Sequence, residues 1–322
     1  MKRMFYRNLI FSALLIIPFL ASLINAQSLR VIRTEKIIGN TENSFMAPVW
    51  SPDGKLIAFS GEKYKGIWLI NIQDKSIKLI TDEIAAGFHF KWSDDSKSIL
   101  TRVAKYENVL RYNAVKIFNL ETNKSNLLTG YRTMMPGLPS FVPGDEKVFM
   151  YGRNKLEVFN SGIKASQIKK RGSSSKIAYI KDDKIAVQDL SSNQLNTFEP
   201  VKGERVINLQ VSPDGSKAAF EIYGGDMYVM NIDGTGLIDL GKGYRPKWSP
   251  DSQHLVYMIT EDDGEEILAS DIYTIKIDGT EKTNLTNTGN KVEMNPDWSP
   301  EGNKIAFDVP KEGAIYIIEI GK

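Results

Sequence analysis

The stretch "WSPDGKLIAFS", residues 50–60, returns as "WSDDSKSILTR" at 92–102, "VSPDGSKAAFE" at 211–221, "WSPDSQHLVYM" at 248–258 and "WSPEGNKIAFD" at 298–308. In the first copy Pro52 fixes φ for a turn, Asp53 bonds locally to the backbone and Gly54 supplies a positive φ. The alternation that follows marks a half-buried strand, so each copy predicts a tight hairpin between two strands of one sheet. Trp50, Trp92, Trp248 and Trp298 each stand just before the Ser of the turn. A large flat ring at one fixed place in every unit predicts packing between neighbouring sheets rather than ligand stacking.

Working outward, each copy is followed by a second alternation: "GIWLINI", "AVKIFNL", "DMYVMNI", "DIYTIKI", "AIYIIEI". Short polar turns ("IQDK", "LETN", "IDGT") then lead to a third strand such as "SIKLIT" or "KTNLTN". The apolar anchor of the second strand falls at Phe59, Leu100, Phe149, Tyr179, Phe220, Tyr257 and Phe307. Seven units over residues 27–322 average about 42 residues, the spacing of propeller blades. The reading is therefore all-β: a β-propeller of seven blades, forming a single domain over 27–322. A six-bladed count, with 141–211 as one swollen blade, is the alternative. The interval from Phe149 to Tyr179 is only 30 residues. It predicts that the third blade lacks its outer strand or that the fourth has a stub for its inner one.

The last unit supplies three strands and stops. An outer strand without a blade occurs near Arg30–Ile38, where "TEKIIGN" reads like "TEKTNLT" at 280–286. Pairing that strand with the C-terminal blade would close the ring and hide its open edges.

The recurring "WSPDG…IAF…IYVMNIDGT…LT" unit resembles the propeller repeats of the TolB family of periplasmic proteins. The resemblance covers 30–322 and is carried best by "VSPDGSKAAFEIYGGDMYVMNIDGTG" and "WSPDSQHLVYM…DIYTIKIDGTEKTNLT". It implies a propeller fold and, through the family, partnership with an outer-membrane lipoprotein. The family places an N-terminal α/β domain before a six-bladed propeller; the expectation here is the propeller alone. The same repeat also occurs in accessory domains of prolyl peptidases and in some pectate-fragment lyases.

Composition narrows the function. Residues 1–26 carry Lys2, Arg3 and Arg7, then the uncharged run at 9–24, then "INA" before Gln27, which is the layout of a secretory signal peptide. An uncleaved membrane anchor is the alternative, and membrane association is expected only in that case. Without these residues the chain has 38 basic and 39 acidic side chains, unlike the strongly basic balance that nucleic-acid binding favours. Zero cysteine excludes disulfides and thiol chemistry. Two histidines, His89 and His254, cannot make the multi-histidine site of the lyases. No G-x-S-x-G elbow and no phosphate-binding loop occurs. No cofactor, no metal and no catalytic residue is expected, although a carboxylate pair in the channel would announce itself by no motif.

In such a blade the turns between strands A–B and C–D share one face, and the longer D–A and B–C loops share the other. Binding residues concentrate on variable loops held by a rigid scaffold. The candidates on that face are His89, Arg111, Tyr112, Tyr131, Arg132, Tyr244 and Arg245. The expected function is an exported, monomeric, non-catalytic platform for a protein or cell-envelope component. The alternative is a carbohydrate-active or small-ligand propeller, with a channel pocket of about 300 Å³ or more.

Overall fold

A computed structural model describes residues 29–39, 44–164 and 175–321; the signal-like segment 1–26 lies outside them. Seven antiparallel sheets follow one another along the chain. Blade 1 holds β2 (Phe45–Trp50), β3 (Leu56–Gly61), β4 (Ile67–Asn71) and β5 (Ile77–Thr81). Blade 2 holds β6 (Lys91–Trp92), β7 (Ser98–Glu107), β8 (Leu110–Asn119) and β9 (Lys124–Leu127). Blades 3 and 4 have three strands each among the described residues: β10 (Ser140–Phe141), β11 (Lys147–Gly152) and β12 (Lys155–Asn160), then β13 (Lys176–Lys181), β14 (Lys184–Asp189) and β15 (Leu195–Phe198). Blade 5 is β16 (Val206–Val211), β17 (Lys217–Ile222), β18 (Met227–Asn231) and β19 (Ile238–Gly241). Blade 6 is β20 (Tyr244–Trp248), β21 (His254–Asp262), β22 (Ile267–Lys276) and β23 (Thr283–Asn284).

Blade 7 joins the two ends of the chain. Its strands β24 (Met294–Trp298), β25 (Lys304–Val309) and β26 (Ala314–Gly321) are completed by β1 (Arg30–Ile38), in the order β1-β26-β25-β24. Thr34 stands opposite Ile318 and Lys36 opposite Tyr316. The seven-bladed count and the closure by the N-terminal strand are thus both observed. Segment 141–211 forms two blades, each short by one strand: the third lacks an outer strand and the fourth an inner one among the described residues.

The core is a ring of seven apolar clusters, one at each blade boundary. Phe90, Trp92 and Phe118 of blade 2 pack on Ala58, Ile67 and Leu69 of blade 1. Ile315 and Ile317 of blade 7 pack on Phe45, Phe59 and Ile70 of blade 1, so the last boundary is as apolar as the others. The four repeated tryptophans are buried there. Trp92 Nε1 donates to the Val49 carbonyl at 3.2 Å, and Trp248 Nε1 to that of Gln210 at 3.1 Å, each reaching the inner strand of the preceding blade.

The hairpin turns stitch the ring as well. Ser51 is fully buried, donates to Asp53 at 2.7 Å and accepts the Leu56 N–H at 3.0 Å. Ser212 and Asp214 repeat the pair at 2.6 Å. The Asp53 and Asp214 N–H groups donate to Ser96 and Ser252 in the turn of the following blade, at 3.0 and 3.2 Å. The fourth turn position is therefore an inter-blade link where it is Ser, and a backbone device where it is Gly. No helix among the described residues is long and apolar enough to cross a membrane.

Candidate functional site: the central channel

The inner strands surround the channel, and those of blades 1, 2, 5, 6 and 7 carry the same irregularity. Ala47, His89, Asn208, Arg245 and Asn295 stand three residues before Trp50, Trp92, Val211, Trp248 and Trp298, all at φ between 51° and 56°. In four blades the strand slips by one residue there, so that two residues face one anchor: Ala47 and Pro48 opposite Phe59, Asn208 and Leu209 opposite Phe220, Arg245 and Pro246 opposite Tyr257, Asn295 and Pro296 opposite Phe307. These are β-bulges with the first residue left-handed. Of these residues Asn and His take that conformation more readily than Ala and Arg. Proline is tolerated next to it because the inner strand is a sheet edge.

Buried acids hold the bulges. Asp308 of β25 is fully buried; its Oδ1 accepts the Asn295 side-chain N–H in its own blade at 2.8 Å and the Ala47 N–H of blade 1 at 2.9 Å. Glu221 of β17 does the same between blades 5 and 6, accepting from Asn208 Nδ2 at 2.9 Å and from the Arg245 N–H. Arg245 Nη1 in turn donates to Asn295 Oδ1. Asp297 Oδ2 accepts the Trp50 N–H at 2.8 Å. Burial pushes the Asp308 carboxyl up to about 7 and that of Asp297 up to about 6, against the pull of nearby cations and hydrogen bonds. Burial also raises Glu221.

Charge in the channel itself is mainly positive. A cavity of about 80 Å³ is lined by the bulge residues and by the residue before Trp50, Trp92, Val211 and Trp248: Val49, Lys91, Gln210 and Lys247. Lys91 is held down to about 8, first by burial and then by the Lys247 ammonium, with Asp297 opposing. His89 opens onto the channel, yet protein surrounds it. That partial burial, then Lys91, Lys247, Arg245 and Arg102, push its pKa down, so the imidazole is neutral at pH 7. Its ring packs edge-on against Phe88 at 4.5 Å, and Phe88 against Tyr64 at 4.9 Å. Gly87 lets this strand approach blade 1: a Cβ there would lie 2.0 Å from Ser60 Oγ and 2.7 Å from the Gly66 carbonyl.

The seven candidate residues from the sequence are dispersed. His89 and Arg245 lie in inner-strand bulges and line the channel. Tyr244 is half-buried against the core between blades 6 and 7. Tyr131 and Arg132 line a shallow depression of about 460 Å³ with Glu157 and Phe159, away from the channel. Arg132 is committed there, gripping Glu157 with two bonds of 2.9 and 3.0 Å, while Lys105 covers the Tyr131 ring at 4.4 Å. Arg111 and Tyr112 sit on β8, and Arg111 Nε donates to Asn113 at 3.1 Å.

The supposed B–C loops of blades 2 and 6 are continuous hairpins. Strands β7, β8 and β22 run 10 residues and β21 runs 9, against 5 or 6 for the same strands of blade 1. At about 3.3 Å per residue they rise roughly 13 Å beyond the neighbouring sheets. Tyr106, Val109 and Leu110 are exposed at one tip, Val109 at 95%. Glu261 to Glu266 form the other, acidic tip.

Lys91, Lys247, Asp297, Asn208 and Asn295 were missed as site residues by sequence reasoning. A signal for them exists: aligning "APVW", "HFKW", "NLQV", "RPKW" and "NPDW" on the last residue puts them in two columns. Among the described residues no group of three or more His, Asp or Glu side chains is placed to hold a metal.

No family model matches the chain, and no curated protein matches it. Among solved structures, TolB from Acinetobacter baumannii is similar with a TM-score of 0.56 and 18% identity, over 82% of this chain and 59% of that one. The chain thus spans less than two thirds of that protein's length. A putative TolB from Agrobacterium tumefaciens is similar with a TM-score of 0.55 and 16% identity, over 92% of this chain and 97% of that one. At these identities the likeness speaks for the fold, a TolB-like β-propeller.

Proposed function

On a TolB-like propeller fold, we propose an exported, non-catalytic platform that binds a protein or envelope component on the face carrying the D–A and B–C connections. The observation that carries this reading is the pair of projecting hairpins in blades 2 and 6. They stand three blades apart in a ring of seven, hence nearly opposite across the channel mouth. One tip offers apolar and aromatic side chains, which give contact area, and the other a run of carboxylates, which gives electrostatic selectivity. Residues 1–26 act as the export signal in this reading, 27–322 form one monomeric propeller domain, and the resemblance of the repeats to TolB proteins favours the periplasm.

An enzyme acting on glycans has less support. It would use two carboxylates about 5–9.5 Å apart around a substrate. Asp297 bears the one carboxylate within the residue columns that line the cavity, and Glu221 and Asp308 are tied to bulge N–H groups. The cavity of about 80 Å³ is also far below the roughly 300 Å³ or more of a small-molecule site.

The test is quantitative capture from solubilised envelope extract. The chain is compared with a Tyr106→Ala, Leu110→Ala variant of hairpin 2 and with a Glu265→Lys, Glu266→Lys variant of hairpin 6. One partner retained by the parent and lost by either variant, at unchanged melting temperature, is the expected result. A partner captured equally by all three would move the interface elsewhere.

A further inference from the structure

We propose that the channel binds a small oxyanion, a phosphate or carboxylate group, between Lys91, Lys247 and Arg245. Three cations line one cavity there. The Asp297 carboxylate, which already accepts the Trp50 N–H, is near enough for its charge to act on Lys91 and Lys247. Among the described residues no carboxylate lies within ion-pair distance of either ammonium, whereas 11 other lysines form ion pairs: Lys97 with Glu121 at 2.7 Å and Lys116 with Glu83 at 2.6 Å are two of them. Neither ammonium makes a hydrogen bond to a described residue, and Arg245 uses Nη1 alone, on Asn295.

Half-buried cations without partners are costly, and the cost is removed when an anion enters. Lys91 and Lys247 occupy the same register position, the residue before Trp92 and Trp248, in blades three apart. They therefore approach each other across the channel, and their mutual repulsion is part of what depresses Lys91. The Gln210 side chain lines the same space and adds neutral donors. His89 is neutral above them and can donate one N–H.

Size sets the class of ligand. A water needs about 10–15 Å³ of such space, so a cavity of about 80 Å³ takes a phosphate, sulfate or carboxylate group with a few waters. A nucleotide or a sugar chain is too large. The strained bulges ringing the cavity fit this role, since backbone strain gathers where a site must be held rigid. The proposal does not depend on the platform reading: an ion can occupy the channel whether or not a protein covers the loop face.

Isothermal titration of the full chain with inorganic phosphate and, separately, with acetate, at constant ionic strength in chloride, tests it. Saturable uptake at one site is expected. Loss of one charge-assisted partner should weaken it by about tenfold or more in Lys91→Met and in Lys247→Met. Lys97→Met, on an exposed turn, should bind as the parent does. Phosphate alone binding identifies a phosphate-type ligand; acetate binding identifies a carboxylate, free or on a peptide. Absence of saturable uptake of both, or equal uptake by all variants, overturns the proposal. Should a lysine variant fail to fold, parent crystals soaked in selenate decide: an anomalous peak between Lys91 and Lys247 supports the site, and an empty channel at saturating selenate overturns it.

Discussion

Asp308 joins two blades through one oxygen, and its burial makes that link sensitive to pH. Its folded pKa of about 7 lies above the ordinary value of 3.8. The folded state therefore holds an extra proton between these values, and this group's contribution to stability falls as pH rises from about 4 to 7. Asp308→Asn keeps an oxygen for the Ala47 N–H and carries no charge. The variant should match the parent below pH 4 and melt at progressively higher temperature than it up to pH 8, in thermal scans across that range. A constant difference at every pH would mean that the carboxyl is not raised. Burial, then the Lys247 ammonium, hold Lys91 down to about 8 against the pull of Asp297; Arg245 and the neutral His89 line the same cavity. The Lys91 charge is lost as pH rises through that value, so oxyanion affinity should drop between pH 7 and 9. At pH 8 binding should take up protons, which titrations in buffers of different ionisation enthalpy would reveal. The buried tryptophans were legible in the sequence as inter-blade packing, because the ring recurs before every turn. The channel cations were not: Lys91 and Lys247 are 156 positions apart, and each alone looks like a solvated strand residue.

At the scale of the element, the hairpin of blade 2 shows why a strand can be mistaken for a loop. "RVAKYENVLRYNAV" contains no Asn-Gly or Asp-Gly to mark a two-residue turn. The turn is made by Asn108 and Val109, at φ 46° and 62°. Asn suits the left-handed region, but a β-branched residue does not. Replacing Val109 by Gly should relieve about 1 kcal/mol of backbone strain. The side chain is exposed and forfeits almost no burial in exchange. Val109→Gly should therefore raise the midpoint of chemical denaturation with an unchanged slope. If the tip docks on a partner, the same variant should bind it more weakly while being more stable. Unchanged stability would show that the turn is not held left-handed. The short blades were legible only as an irregular spacing. The 30-residue interval announced a missing strand but could not say that two blades share the deficit, because a degenerate turn such as "VPGDE" looks the same in either case.

For the whole molecule the question is what keeps the ring shut. The N-terminal strand β1 closes it in topology, yet five of its first six side chains are exposed; Ile37 and Ile38 alone reach the core beside blade 1. Its ion pairs, such as Arg33 with Glu319 at 3.8 Å, are exposed and contribute little. The apolar boundary between blades 7 and 1 buries Phe45, Trp50, Phe59, Ile315 and Ile317 without it, at about 1.5–3 kcal/mol for each large side chain. Closure energy therefore resides in that boundary, and β1 supplies backbone partners for β26. Phe59→Ala should cost about 3–5 kcal/mol and loosen the ring. A chain beginning at residue 40 should stay folded by circular dichroism, because blades 3 and 4 have only three strands each among the described residues. Its β26 edge would be unpaired, and an exposed apolar edge recruits a second one. Size-exclusion chromatography with light scattering should then show larger species than the parent forms. A monomeric truncated chain with the parent's melting temperature would mean that β1 is dispensable to closure. A truncated chain that fails to fold would place the closing energy in β1 itself.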